Sequence, residues 1–436
     1  MNLSRLFTLT FSHHIFIQLY DQFVKPLNIL FFMGFSHKID IFGIFIIIKS
    51  YRNTHPIIII MTDTTHSDFV FQTMLTCIGN KRKLVGEIRN IAESIREKLS
   101  KEKLCIMDGF TGSGVVAREL VSMCHTIITN DLEPYAYLMS KCFLETPTPE
   151  QQHRIAHHIQ YMNRLSTEGP FIDTGIIAKL YAPKNTQDIQ PGERCFYTRV
   201  NAVIIDTMRK YISDNVEPEL QLYCMVPLLI KASIHTNTAG VFKGFYKDGD
   251  IGCFGGAGRN ALSRIMKPIT LDIPIWSPTT HLAICHNANI NTLINTLDDV
   301  AIDILYLDPP YNQHPYGSNY FMLNVIAKNE EPAKVSKVSG IPTDWNKSAY
   351  NSKTSAIRDM EHLLRVGLEK ARYIVLSYND EGIISPEEWG RIFAPYSVEK
   401  REILYDTFKG SRNLRERSNK VVEIMYIITK KNGTMQ

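Results

Sequence analysis

The run Ile302-Asp303-Ile304-Leu305-Tyr306-Leu307-Asp308-Pro309-Pro310-Tyr311 constrains the chain more than any other stretch. Its apolar part reads as a buried strand, and proline has no N–H to give to a sheet ladder. The strand therefore stops at Pro309 and leaves Asp308 at its carboxyl end. That is the end of the strand where open α/β sheets bind ligands. Two prolines stiffen the corner, and their carbonyls accept hydrogen bonds with no competing N–H. The corner suits a planar amine held by Asp308 and a proline carbonyl, with the Tyr311 ring stacked on the base. The other reading is a strand end, a proline turn and a surface tyrosine. These four residues alone do not choose between the two.

A second buried strand, Leu104-Cys105-Ile106-Met107, runs into Asp108-Gly109-Phe110-Thr111-Gly112-Ser113-Gly114. A helix carrying Val115, Val116, Leu120 and Met123 follows. Strand, glycine loop, helix is the order that sets a cofactor at a helix N-terminus. The next strand, Thr126-Ile127-Ile128-Thr129, ends in Asn130-Asp131. An acid about 20 positions after the glycine loop is placed for ribose hydroxyls. Together these favour a nucleoside-type cofactor over a structural turn. A dinucleotide is the competitor, although Gly109, Gly112 and Gly114 do not follow G-x-G-x-x-G spacing. No triphosphate-binding G-x-x-x-x-G-K-[ST] follows a strand. Upstream, Leu84, Ile88, Ile91, Ile95 and Leu99 mark one apolar helix face, read as core packing. The Gly79-Asn80 pair before that helix lets backbone approach a ligand closely.

Between the two halves of such a sheet, residues 149–300 exceed what a connection needs. Thr146-Pro147-Thr148-Pro149 marks the boundary, and helical spacing recurs around Ile155, Ile159 and Met162, and around Val200, Val203, Ile204 and Tyr211. From Gly240 to Gly258, glycines mix with Phe242, Phe245, Tyr246 and Phe254, with Lys243 and Lys247 interleaved and Arg259 next. This suits a surface touching a phosphate backbone; the alternative is a long hairpin with solvated lysines. Near the C-terminus, Tyr373–Tyr378 reads as a strand and Ser385-Pro386 as a capped helix start. Glu402–Tyr405 is placed to pair with a last strand at Val421–Ile428. Between them Lys409, Arg412, Arg415, Arg417 and Lys420 face only Glu416, a strongly basic run that is either a DNA-phosphate contact or a solvated loop.

The net charge is only +4, so nucleic-acid affinity must come from such local patches. Eight cysteines without a C-x-x-C pair argue against both a zinc site and a disulfide framework. No metal and a cytoplasmic location are expected. Residues 1–60 hold nine of the 21 phenylalanines, but charges break every window long enough to span a membrane. They are expected to be a spurious or poorly ordered extension with translation starting at Met61; a membrane-associated leader is the alternative.

In their order, Ile78-Gly79-Asn80-Lys81, the Asp108–Gly114 loop, Asn130-Asp131 and Asp308-Pro309-Pro310-Tyr311 resemble the DNA adenine-N6 methyltransferases, specifically the Dam-like alpha group of amino-methyltransferases. The resemblance is at motif level and covers roughly Phe69 to Lys430. It implies an α/β fold, a doubly wound Rossmann-like methyltransferase sheet with an inserted, largely helical target-recognition domain. Residues 61–148 would form the first half of the catalytic domain, 149–300 the insert and 301–436 the second half. The implied cofactor is S-adenosylmethionine and the implied substrate an adenine flipped out of duplex DNA. By matched position, Asp308, Pro309, Pro310 and Tyr311 would hold the adenine. Cys77, Lys81, Asp108, Phe110, Thr111, Gly112, Gly114, Asp131 and Asp308 would line the cofactor site. Cys77 departs from the family, which usually has an aromatic residue there. Lys243, Lys247, Arg259, Arg412 and Arg415 are the candidate DNA contacts. Nothing in the role of Asp308 requires a raised pKa, since the ionised carboxylate is the better acceptor. A monomer is expected, with a cognate restriction endonuclease as a separate partner. The rival readings are a cytosine-N4 enzyme, in which Ser usually replaces Asp308, and a sequence-specific DNA-binding protein that has lost catalysis.

Overall fold

In the computed structural model the described residues are 29–33, 43–48, 57–62, 66–72, 74–75, 77–256, 258–297, 300–406 and 420–431. They fall into two units, residues 1–65 and 66–436. In the first, the described residues are strands β1 (Ile29–Met33), β2 (Gly43–Ile48) and β3 (Ile57–Thr62), paired antiparallel in that order. Isoleucine dominates β2 and β3, as its β-branched side chain favours extended backbone. Met61, the expected start, lies within β3. No helix among the described residues is long and apolar enough to cross a membrane.

The second unit is built on a seven-stranded sheet. Helices α1 (His66–Phe71) and α2 (Val85–Lys98) precede β4 (Leu104–Asp108), and α3 (Val115–Leu120) joins β4 to β5 (Cys124–Asp131). After α4 (Pro134–Leu144) come α5 (Pro149–Glu168), α6 (Ile176–Leu180), α7 (Arg199–Asn215) and α8 (Gln221–Ile234). A small hairpin, β6 (Lys247–Asp248) and β7 (Ile251–Gly252), and α9 (Leu262–Met266) follow. The sheet resumes with β8 (Leu282–Asn287), α10 (Ile290–Thr296) and β9 (Ile302–Leu307). Then α11 (Tyr316–Asn319), α12 (Phe321–Lys328) and α13 (Lys353–Lys370) lead to β10 (Ala371–Asn379). The described chain closes with α14 (Pro386–Phe393), β11 (Tyr396–Asp406) and β12 (Lys420–Lys430).

Strand order is β11-β12-β10-β9-β4-β5-β8, with β12 antiparallel to both neighbours and the other pairs parallel. From β4 the chain steps outward through β5 to β8, then returns to the other side of β4 with β9. The order therefore reverses between β4 and β9, and a crevice opens at the carboxyl ends of those two strands. Both faces of the sheet are covered. Along β4, Ile106 joins the apolar core on one face, while Cys105 and Met107 join the core on the other. Along β9, Ile304 and Tyr306 alternate in the same way with Leu305 and Leu307. Burial on both faces is why these strands read as continuous apolar runs. The doubly wound α/β sheet is the one expected, and Glu402↔Ile424 through Tyr405↔Val421 pair as expected.

The segment 149–300 differs from the expectation in two respects. Its last part is not outside the sheet, because β8 pairs with β5 from Thr126↔Leu282 to Asp131↔Asn287. An edge strand is only half-buried, so β8 carries no long apolar run to announce it. The helices are also not a separate body. Ile155, Ile159, Met208 and Leu228 lie in the same apolar core as Met139 and Phe143 of α4 and Leu323 of α12. Thr148 caps α5 by accepting from the Gln151 N–H, and the Gln151 side chain accepts from the Thr148 N–H.

Candidate active site

A cleft of about 950 Å³ lies at the β4/β9 switch point. Its walls include Cys77, Lys81, Asp108, Phe110, Thr111, Gly112, Asp131, Asp308 and Pro310. The four motifs, separated by up to 230 positions, thus converge on one crevice. Gly114, Pro309 and Tyr311 are not in its wall. Gly114 instead caps α3 in the left-handed conformation, φ 79°, where a side chain would be strained.

The glycine loop is fixed from β5. Thr111 donates its N–H to the Asn130 carbonyl at 3.0 Å, and the Asn130 side-chain amide donates to the Gly109 and Ala288 carbonyls at 3.2 and 3.1 Å. One asparagine therefore ties together the loops after β4 and β8. A side chain at Gly109 would press on Leu307, since a Cβ would stand 2.9 Å from its Cδ2. Asp131 accepts from the Gly112 N–H at 2.7 Å and the Glu133 N–H at 2.9 Å. Burial raises its pKa, and those two donors oppose the rise.

Across the cleft, the Cys77–Lys81 segment is held by α11 and the residue that ends it, just after the double proline. Tyr316 donates its hydroxyl to the Ile78 carbonyl, and the Ile78 N–H donates to the Tyr320 hydroxyl, both at 2.7 Å. Gly79 adopts φ +79° beside the Tyr316 hydroxyl. Cys77 stays a thiol: burial, then Asp131 and Asp308, push it up to about 12.

Lys81 gives the site its sharpest geometry. Its ammonium stands 2.7 Å from Asp308 Oδ1 and 3.1 Å from Glu423 Oε1. The Lys81 and Glu423 side chains are 5% and 1% exposed, Asp308 17%. Burial alone would lower the lysine, but Asp308 and Glu423 outweigh it and hold the ammonium well above its usual range. Burial pushes Asp308 up to about 6, with Lys81 opposing and Glu423 adding to the rise. The role assigned from the sequence did not need a raised value; burial is its main cause, and a buried glutamate 115 positions away adds to it. The Tyr311 ring centroid lies 5.9 Å from the same ammonium, edge-on to Tyr378 at 6.2 Å. The Tyr311 carbonyl accepts from the Ile383 N–H at 2.9 Å.

Asp108 is held well above the carboxylate range by burial and then by Asp308, and burial followed by the Asp131 charge pushes Glu133 up to about 7. Four carboxyl groups against one ammonium make this a cleft for a cationic or neutral ligand. Anionic pyrophosphate would find only the Lys81 ammonium, already paired with Asp308 and Glu423, which disfavours the dinucleotide reading.

Sequence reasoning missed Glu133, Tyr135, Ala288, Ile290, Asn346 and Tyr350, all in the cleft wall. The Tyr350 ring meets Phe110 edge-on at 5.2 Å. Asn346 lies in an irregular stretch and Tyr350 in a single 3-10 turn, Ala349–Asn351, both too short to carry a periodicity that would flag them. Of the candidate DNA contacts, Lys243, Lys247 and Arg259 are exposed, line no part of the cleft and form no salt bridge among the described residues. Lys247 sits on the β6–β7 hairpin over the Phe245 ring at 5.4 Å. Arg412 and Arg415 lie outside the described residues.

By sequence, the chain is similar to known modification methyltransferases. Type II methyltransferase M.NlaIII of Neisseria lactamica is 28% identical over 367 residues, 81% of this chain and 98% of that protein. Modification methylase StsI of Streptococcus sanguinis is 27% identical over 81% of this chain and 52% of its own length. Type II methyltransferase M.CviAII of Paramecium bursaria Chlorella virus 1 is 26% identical over 73% of this chain and 87% of its own. Residues 78–392, which contain all four motifs, match the family profile throughout. The chain belongs to the D12 class of N6 adenine-specific DNA methyltransferases.

Proposed function

We propose that the chain transfers a methyl group from S-adenosylmethionine to the N6 amino group of an adenine flipped out of duplex DNA, as the modification enzyme of a restriction-modification system. The observation that carries this reading is the Asp308 corner itself. It already holds an N–H-bearing cation at 2.7 Å, in the same cleft as the glycine loop.

The residues fit the donor. Asp131 would take the ribose hydroxyls, and Leu132, Ala288 and Ile290 offer apolar surface for its purine ring. The Asp308 carboxylate suits its positive charge. Bound there, S-adenosylmethionine supplies an electrophilic methyl group on sulfur. The chain's own residues do the rest by positioning. The exocyclic nitrogen of adenine is a poor nucleophile because its lone pair is conjugated with the ring. Asp308 and the Pro309 carbonyl would accept its two hydrogens and favour a pyramidal nitrogen with a directed lone pair. Tyr311 would replace stacking lost on flipping, a cost of a few kcal/mol. The helical segment from 149, with Lys243, Lys247 and Arg259, would select and hold the duplex, with Arg412 and Arg415 as further phosphate contacts. The names of the relatives support the restriction-modification assignment, and we infer a cognate endonuclease as a separate protein. We infer a monomer.

The test is incubation with labelled S-adenosylmethionine and mixed genomic DNA, followed by digestion to nucleosides. Label in N6-methyladenine is expected. Label in methylcytosine would select the N4 reaction, and no label would leave a DNA-binding protein.

A further inference from the structure

Glu423 has no part in the chemistry above, yet it reaches the reaction corner from the far side. It lies on β12, and Ser377 of β10 donates its hydroxyl to Glu423 Oε1. The same oxygen stands 3.1 Å from the Lys81 ammonium, which is itself 2.7 Å from Asp308 Oδ1. Lys81 is thus shared between two carboxylates. The groups facing it are Asp308 and Tyr306 from β9 and its end, Tyr311 from the double-proline corner, and Glu423 from β12.

This sharing has a consequence for substrate binding. An amino group that takes its place on Asp308 must displace the ammonium from that oxygen. The amine is neutral, so it does not replace the charge it evicts. A buried cation that loses its carboxylate is strongly destabilised, because the cost of desolvation is no longer offset. With only Asp308 available, Lys81 would therefore resist the base. The second carboxylate removes that conflict. Resting on the reading of Asp308 as the seat of the adenine amino group, we propose that Glu423 is a positioning residue. It is the alternative seat of the Lys81 ammonium, to which the lysine retires when the base arrives. The travel required is small, since the two carboxylate oxygens already flank one nitrogen. Ser377 keeps the Glu423 carboxylate aimed at the corner.

Glu423→Gln keeps volume and the Ser377 contact but removes the charge. Methyl transfer to unmethylated plasmid DNA would be measured for wild type, Glu423→Gln, Lys81→Met and the double variant, with single turnovers where steady-state rates are too slow. In the Lys81 enzyme, Glu423→Gln should lower kcat/KM by about tenfold or more, while the Kd for S-adenosylmethionine stays within about twofold. In the Lys81→Met enzyme the same change should matter less than about twofold, because no cation needs the seat. An equal loss in both backgrounds would overturn the proposal and make Glu423 a packing residue only. Should Glu423→Gln fail to fold, Glu423→Asp is compared in the same way, and its loss must again vanish without Lys81. Asp308→Ala keeps the two readings apart. If it stays active, the assignment of Asp308 fails; if it is inactive while the cycle is additive, only the role of Glu423 fails.

Discussion

Asp303 and Asp308 leave opposite ends of β9 and serve different purposes. At the amino end, Asp303 is fully buried, accepts from the Cys105 N–H at 3.0 Å and pairs with Lys101 at 2.7 Å, so it fastens β9 to β4. At the carboxyl end, Asp308 opens onto the cleft and pairs with Lys81 at 2.7 Å. Asp308→Ala should reduce methyl transfer by a factor of about 10² to 10³ or more. S-adenosylmethionine should still bind within a few-fold, measured by equilibrium binding; substantial residual transfer would defeat the role. The pH dependence follows from the raised pKa. Protonated Asp308 carries an O–H donor where an acceptor is needed, so activity requires the ionised form. Since kcat/KM reports the free enzyme, it should fall about tenfold per pH unit below about 6. An ordinary carboxylate would place that limb about two units lower, and a profile flat down to pH 5 would contradict the assignment.

At the scale of elements, local signals and function coincide in the strand–loop–helix from β4 to α3. Its strand, its glycines and the acid at the end of β5 were all legible, because each depends on backbone conformation and burial nearby. Gly114 begins α3 at φ 79°. Gly114→Ala should cost about 1 to 2 kcal/mol and lower the melting temperature accordingly. The capping box at Thr148 offers a contrast. Thr148→Ala should cost about 1 kcal/mol in thermal unfolding and leave kcat unchanged, as the cap of α5 lies outside the cleft wall. A marked loss of kcat would mean that α5 is coupled to the site. What escaped the sequence at this scale was β8. Its burial is partial along its whole length, so neither strict alternation nor a continuous apolar run appears.

For the whole molecule, the question is which residues build the catalytic body. The match to the family profile, residues 78–392, lies wholly within the second unit. Phe69 is held in place by Arg118, whose guanidinium stacks on it at 5.1 Å and donates to its carbonyl. A chain expressed from Met61 should therefore melt within about 2 °C of the full chain and methylate DNA at the same rate, within about twofold. Intact mass of protein from the native source would show whether residues 1–60 are made at all. Loss of folding in the shortened chain would show that the first unit supports the second.

By itself, the sequence determined the sheet's central strands, the two motif corners and the order of the parts. Those follow from proline's missing donor, glycine's freedom and continuous burial, which act over a few residues. Only the tertiary structure decided the rest: that Lys81 meets Asp308, that Glu423 flanks the same ammonium, and that β8 closes the sheet rather than belonging to the insert. The reason is distance along the chain. Charges buried together interact strongly whatever their separation in sequence, and no local pattern records which partner the fold will bring. The Asp308 corner was visible as an acceptor; that its pKa rises to about 6 depended first on how deeply the fold buries it, and then on a glutamate from a strand more than a hundred residues later.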